Sequence, residues 1–223
     1  MQVLCDFDGT ITRQDSTDFV LNALADPQWR VLQDEWEAGR LSGRACMQGQ
    51  IALIRGSLAE LDATLDGVEL DPSFTRFVDW CEARGFPLTI ASDGVDYFIT
   101  RLLGRDGLER LPRVANRLEG APGAWSLTCP ERPADCESGS GVCKCATTVG
   151  ASADDTLIVV GDGRSDFCVG LKADILFAKG ALAEYADRVS KPYLPFDTFD
   201  DVTRSLSVLV GEGPVLRHHT ISA

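Results

Sequence analysis

Short apolar runs alternate along this chain with longer segments of helical periodicity. The runs that we predict to be strands lie at residues 3–5, 87–91, 156–160 and 174–177. Strands separated by helices form parallel sheets whose faces the helices cover. The pattern therefore predicts an α/β fold, with a parallel sheet and helices on both faces.

The segment between the first two strands is much longer than one crossover needs. Asp71 and Pro72, as a capping acid and a first-turn proline, predict the start of the crossover helix, and Gly85 predicts its end. Before that helix, helical periodicity recurs around residues 19–25, 29–38, 43–54 and 58–65. The position of this all-helical insertion favours a cap that closes over a site, although a helical layer packed permanently on the sheet would give the same pattern.

These boundaries divide the chain into three parts. We expect residues 1–14 and 71–210 to form an α/β core, residues 15–70 to form the helical cap, and residues 211–223 to form a mobile tail. A length of 223 residues suits one large domain with a modest insertion, and a hydrophobic content of 44% is enough to bury a core.

The charge of the chain limits its partners. A net charge of −13 repels nucleic acid and anionic membrane surfaces, so we expect neither as a partner. The amino-terminal residues lack the basic start of a signal peptide, and no apolar run is long enough to span a bilayer. These features predict a soluble, cytoplasmic protein and leave its oligomeric state open.

Polar side chains follow the predicted strands where those strands end. They are Asp6, Asp8, Thr10, Ser92, Asp162 and Asp166. Because the carboxyl ends of parallel strands meet at one edge of a sheet, we expect these side chains to converge. Neighbouring carboxylates raise one another's pKa, and a hard divalent cation relieves their repulsion. The cluster therefore predicts a Mg²⁺ site, whereas each motif taken alone would also fit a solvated turn.

Lys144 is the only lysine in the first 171 residues. In so acidic a chain, its lone ammonium is a candidate counter-charge for phosphate. The hydroxyl of Ser92 can donate to a phosphoryl oxygen, and we expect a helix amino terminus just after it, which favours an anion. Together with Mg²⁺, these groups predict a site for a small phosphate ester.

Four of the eight cysteines cluster in a polar stretch near Lys144. They are Cys129, Cys136, Cys143 and Cys145. Reduced thiols, a zinc site and a disulfide such as Cys129–Cys136 are all open interpretations, although the spacing lacks a CxxC zinc knuckle. Any of these would stiffen the loop that carries Lys144.

The four motifs, in this order and with a helical insertion after the first, resemble those of the haloacid dehalogenase superfamily, on its phosphatase branch. The resemblance implies a Rossmann-like parallel sheet with an inserted helical cap. It also implies that Asp6 is a nucleophile that forms an aspartyl-phosphate. Asp8 would protonate the leaving oxygen and then deprotonate the attacking water.

The same resemblance implies roles for the other site residues. The metal would be bound by Asp6, Asp8 through its backbone carbonyl, and Asp162, while Asp166 would support the metal or hold Lys144. The phosphoryl group would be held by Thr10, Ser92 and Lys144.

The cap resembles that of phosphoserine phosphatases, in which Asp15 matches an acid that contacts the substrate. Those enzymes grip the substrate carboxylate with an arginine, and our best gapless match places Gln50 there, with Arg44 and Arg55 nearby. Glutamine cannot supply the charged bidentate pair, which argues against phosphoserine.

Segments 5–12 and 92–98 and the stretch before Lys144 are more similar to the methionine-salvage phosphatases, which act on 2-hydroxy-3-keto-5-methylthiopentenyl-1-phosphate. Asp93 replaces a glycine common in that family. A phosphoserine phosphatase, a phosphotransferase and a non-catalytic phosphate-binding protein on the same fold are the alternatives.

Overall fold

The computed structural model describes residues 1–131, 133, 136, 138–148 and 155–211. Within these ranges, seven strands form one sheet in the order β4-β3-β2-β1-β5-β6-β7. The strands are β1 (Gln2–Cys5), β2 (Leu88–Val95), β3 (Arg113–Glu119), β4 (Ser126–Thr128), β5 (Leu157–Gly161), β6 (Ile175–Ala178) and β7 (Leu194–Pro195). β1 lies between β2 and β5, so the three strands that carry the chemical motifs are neighbours.

Helices separate most of these strands. Those of the described residues are α1 (Ser16–Leu24), α2 (Trp29–Glu37), α3 (Gly43–Ala52), α4 (Leu58–Leu65), α5 (Phe74–Ala83), α6 (Asp96–Gly104), α7 (Phe167–Lys172), α8 (Gly180–Arg188) and α9 (Phe199–Leu209). Short 3₁₀ turns occur at Lys144–Thr148 and Arg164–Asp166. The predicted α/β class is confirmed, and helices α1–α4 all lie between β1 and α5. The predicted tail lies outside the described residues beyond Gly211.

The sheet is mostly parallel, but one edge differs from the prediction. β4 pairs with β3 in the antiparallel direction. β3 was missed because its residues alternate weakly, with Asn116 as its one buried side chain. β4 and β7 span three and two residues, which is too short to show any periodicity.

Apolar side chains on the central strands divide between the two faces of the sheet. Val3 and Cys5 of β1 join the larger hydrophobic cluster, which also contains buried residues of α1, α3 and α4. Leu4 joins a smaller cluster, beneath α7 and α8, on the other face. Both faces are buried because side chains alternate along a strand, and helices α1–α4 share one core with the sheet.

The start of helix α5 differs from the prediction. Asp71 is not the cap of this helix, because α5 begins at Phe74 and its N-cap residue is Ser73. The buried Asp71 carboxylate instead accepts bonds from the Ser73 amide (2.8 Å), the Ser73 hydroxyl (2.6 Å) and the amide of Phe199 (2.8 Å). It therefore joins the start of α5 to the start of α9.

We expect Asp71→Ala to lower the free energy of unfolding by about 3 kcal/mol, since a buried donor left without an acceptor costs about 1–3 kcal/mol. Urea unfolding followed by circular dichroism measures this change. The matched control is Arg76→Ala, which removes an exposed ion pair to Asp200 between the same two helices. That control is expected to cost less than about 1 kcal/mol. Equal losses from both variants would contradict the proposed joint.

Candidate active site

Three carboxylates meet at the carboxyl edge of the sheet. Single oxygens of Asp6, Asp162 and Asp166 lie within 4.8 Å of one another, and no other such group of three or more potential ligands occurs among the described residues. The turn after β1 allows this approach because Gly9 has a φ of +72°, and a Cβ there would overlap the Asp162 carboxylate. The predicted convergence of these acids therefore occurs in the folded chain.

Lys144 joins two of these acids. Its ammonium lies 2.7 Å from Asp6 Oδ2 and 2.7 Å from Asp166 Oδ1, and all three side chains are almost completely buried. Burial acts to lower the pKa of Lys144, but the charges of Asp166 and Asp6 outweigh it, so that the pKa is raised. Lys144 is therefore a fixed positive charge beneath the site.

The acids are incompletely neutralised. Burial, followed by the charge of Asp166, raises the pKa of Asp6 well above its ordinary value, and Lys144 offsets part of this. Burial also raises the pKa of Asp162 to about 6. When ionised, three carboxylates and one ammonium leave two negative charges uncompensated. An all-oxygen donor set with this charge fits Mg²⁺.

Asp8 lies apart from the carboxylate trio. Its Oδ1 accepts bonds from the Ser16 amide (2.9 Å) and hydroxyl (2.5 Å), while a Cβ on Gly94 would overlap its Oδ2. Burial raises the pKa of Asp8, and the two bonds from Ser16 lower it part of the way. The acid is thus held by the first residue of α1. Sequence analysis missed Ser16, for which the only signal was a hydroxyl beside Asp15.

A cavity of about 240 Å³ lies above these acids. Its core side includes Asp6, Asp8, Ser92, Asp93, Asp162 and Arg164, and its insertion side includes Asp15, Thr17, Gln33, Trp36, Met47 and Gln50. Both predicted cap residues, Asp15 and Gln50, therefore line it. The cavity lies between helices α1–α3 and the sheet edge, and sequence analysis missed most of its insertion side.

Contacts between the insertion and the rest of the chain hold the insertion over the edge of the sheet. The guanidinium of Arg164 lies 5.0 Å from the ring centroid of Trp36, and the Arg44 amide donates to Gly139 O at 2.9 Å. Within the insertion, Gln50 Nε2 donates to Gln33 Oε1 at 3.1 Å. The described structure is therefore one in which the insertion covers the site.

The two predicted hydroxyl residues occupy different places. Ser92 lines the cavity, where its Oγ accepts a bond from the Gly94 amide at 2.9 Å. β2 continues through Ser92, and α6 begins only at Asp96, so the expected helix terminus does not directly follow this serine. Thr10 is buried below the cavity and donates to Asp162 Oδ1 at 2.6 Å. A phosphate-binding role for Thr10 stays a prediction.

All eight cysteines lie within the described residues, and none is in a disulfide. The four cysteines before and after Lys144 do not gather into a zinc-type set within this part of the chain. The sulfur atoms of Cys145 and Cys168 lie 3.2 Å apart. This contact links the Lys144 turn to α7.

The fold and the site define a class: an α/β protein with a metal-compatible acidic site at the carboxyl edge of its mostly parallel sheet. The family model described as haloacid dehalogenase-like hydrolase matches residues 3–170. The chain belongs to this family. The resemblance predicted from its motifs is confirmed.

Similar proteins narrow the class. A 2-hydroxy-3-keto-5-methylthiopentenyl-1-phosphate phosphatase of Geobacillus thermodenitrificans is 32% identical, with 93% of this chain and 96% of the relative covered. One of the same name from Brevibacillus brevis is 30% identical, with 92% and 94% covered. A phosphoserine phosphatase structure with a phospho-aspartyl intermediate analogue superposes with a TM-score of 0.65 at 18% identity, covering 92% of this chain and 97% of that one, which shows a shared fold.

The chain is a phosphoric monoester hydrolase, as its motifs predicted. No helix in the described ranges combines the length and the apolar character that crossing a bilayer requires. The cytoplasmic location and the exclusion of nucleic acid stay predictions.

The motif resemblance implies that Asp8 transfers protons, and such transfer contributes about 10²–10⁴-fold to a rate. We therefore expect Gly94→Ala to lower kcat by about 100-fold, because the new Cβ displaces the Asp8 carboxylate. Release of 4-nitrophenol from its phosphate ester, with Mg²⁺ present, measures kcat. Gly104→Ala is the control, since no atom lies within 4 Å of a Cβ at that position. If Gly94→Ala is as active as this control and equally stable to heat, the proposed placement of Asp8 is wrong.

Proposed function

We propose that this chain is a Mg²⁺-dependent phosphatase that hydrolyses 2-hydroxy-3-keto-5-methylthiopentenyl-1-phosphate through an aspartyl-phosphate intermediate. The observation that carries the chemistry is the buried Lys144 between Asp6 and Asp166, beside Asp162 and beneath a covered cavity. The relatives named for this substrate support its identity.

Asp6 is the proposed nucleophile. Its Oδ1 accepts the amide of Phe7 at 2.7 Å and its Oδ2 contacts Lys144, so the carboxylate is fixed in one orientation at the cavity floor. A carboxylate oxygen of Asp6 forms a bond to phosphorus while the bond from phosphorus to the ester oxygen breaks. Lys144 neutralises charge that builds up on the phosphoryl oxygens, and Ser92 donates to one of them.

Asp8 is the proposed proton donor and acceptor. Burial raises its pKa, which favours the protonated form that the leaving oxygen needs. Once this proton has left, the Asp8 carboxylate accepts a proton from the water that attacks the aspartyl-phosphate. Phosphate is then released and Asp6 is restored. The bonds from Ser16 keep Asp8 oriented through both steps.

Mg²⁺ would be bound by Asp6, Asp162 and the backbone carbonyl of Asp8, with Asp166 in support. When bound, it would supply positive charge that stabilises the ionised form of Asp6. The same charge would attract the phosphoryl oxygens to an otherwise acidic site. Residues 15–70 are the proposed cap over a core of residues 1–14 and 71–210. This proposed cap keeps water away from the aspartyl-phosphate until the leaving group has departed.

The lining of the cavity supports a neutral substrate body. Trp36 and Met47 offer apolar and thioether contacts to a methylthio group, and the Gln33–Gln50 pair offers amides to keto and hydroxyl oxygens. Among the insertion residues that line the cavity, the charged ones are Asp15 and Asp18, so none offers an arginine to a substrate carboxylate. These contacts favour the methylthio substrate over phosphoserine.

We expect Asp6→Asn to abolish phosphate release, because an amide is a poor nucleophile and forms no aspartyl-phosphate. Asp8→Asn should retain slow turnover, about 10²–10⁴-fold below the unmodified protein. Phosphate release is measured with and without a chelator, and added Mg²⁺ should restore activity after chelation. The exposed Asp106→Asn is the control for a lost surface charge. Turnover that survives Asp6→Asn would exclude this nucleophile.

A comparison of three esters tests the substrate. We expect kcat/KM to be highest for the methylthio substrate and lower by about tenfold or more for an analogue lacking the methylthio group, since apolar pocket contacts discriminate by about 1–3 kcal/mol. Phosphoserine should be the poorest of the three. Faster hydrolysis of phosphoserine would replace the proposed substrate and leave the proposed chemistry intact.

A further inference from the structure

Asp93 carries a carboxylate on the core side of the cavity, between Ser92 and Gly94. It does not belong to the metal-compatible trio. Its Oδ1 accepts the backbone amide of Val142 at 2.9 Å, across 49 residues of sequence. The side chain therefore ties the phosphate-facing end of β2 to the chain that leads into the Lys144 turn.

Asn116 of β3 reinforces this tie. Its Nδ2 donates to the backbone oxygen of Asp93 at 2.5 Å. Its side chain also fills the space that a Cβ on Gly141 would need, so the backbone at Gly141 packs directly on Asn116. Two consecutive residues, Gly141 and Val142, are thus fixed against side chains of β2 and β3.

The contacts of Gly141 and Val142 lie close to Lys144 along the chain. Val142 is buried and lies two residues before Lys144, where the 3₁₀ turn Lys144–Thr148 begins. A lysine side chain has four flexible carbons and about 2 kcal/mol of rotamer entropy. Its ammonium can stay within 2.7 Å of both Asp6 and Asp166 only if the backbone that carries it is fixed. Displacements of about 1 Å at such groups cost about 100-fold in rate.

We propose that Asp93 is a positioning residue that fixes the Val142 backbone and thereby holds Lys144 between Asp6 and Asp166. This inference rests on the proposed function in so far as Lys144 serves phosphoryl transfer. The contact itself is independent of the substrate.

Asp93 also lies close enough to Lys144 for their charges to interact. Burial raises the pKa of Asp93, and the Val142 amide, the nearby ammonium, the Asn116 side chain and the Gly141 amide lower it part of the way. Two variants weaken this contact to different degrees. Asp93→Asn keeps one oxygen that can accept the Val142 amide but removes the charge and turns an NH2 group toward the other donors, while Asp93→Ala removes both acceptor oxygens.

Labelling of the lysines reads the environment of Lys144 directly. The chain has four lysines, and Lys191, whose ammonium donates to the backbone oxygen of Ala173 at 2.7 Å, serves as an internal reference. An amine-acylating reagent is applied to the folded full chain, and modification at each lysine is followed by peptide mass spectrometry. We expect Asp93→Ala to raise the labelling rate of Lys144 relative to Lys191 by about tenfold or more. Asp93→Asn should keep most of the protection, and the exposed Asp106→Ala should keep all of it.

The same variants are assayed for phosphate release from 4-nitrophenyl phosphate and for their melting temperature. We expect kcat/KM to fall about tenfold or more in Asp93→Ala and much less in Asp93→Asn. Gly141→Ala, which forces the same backbone away from Asn116, should reproduce the Asp93→Ala labelling.

Protection of Lys144 in Asp93→Ala equal to that in the unmodified protein would overturn the inference. If the unmodified protein releases no phosphate from any ester, the proposed function fails, while the labelling still decides whether Asp93 positions Lys144.

Discussion

The site depends on one interaction, the buried contact of Lys144 with Asp6 and Asp166. Removing one partner of a buried ion pair costs about 3–5 kcal/mol, because it leaves an uncompensated charge in the interior. Here the ammonium faces two such partners, with Asp162 close by. In a chain of net charge −13, Lys144 is the proposed counter-charge that helps the sheet edge accept a phosphate ester.

The residues proposed for chemistry and for selectivity lie in different parts of the fold. The proposed nucleophile Asp6 and the metal-compatible acids lie on turns that follow β1 and β5, which are central and buried on both faces. The groups proposed to contact the substrate body lie on α2 and α3 of the insertion. The two parts are joined at Asp8, which is on the sheet edge but is held by Ser16 of α1. Covering the site and orienting its acid are therefore linked.

The Lys144 turn is held from several directions. Asp93 accepts the Val142 amide just before it, the Arg44 amide of the insertion donates to the Gly139 oxygen further upstream, and the Cys145–Cys168 contact lies within it. None of these contacts belongs to a helix or a sheet ladder. An irregular segment that carries an essential charge needs such individual bonds, because it has no regular hydrogen-bonding pattern to fix it.

The sequence by itself determined the α/β class, the helical insertion and the convergence of Asp6, Asp162 and Asp166. These follow from strand periodicity and from the rule that parallel strands share a carboxyl edge. Only the tertiary structure decided that β4 is antiparallel, that Asp71 joins two helices, and that Ser16 and Asp93 hold Asp8 and the Lys144 turn. Such contacts join single polar groups across loops and between elements, where no periodic pattern records which partner will be near.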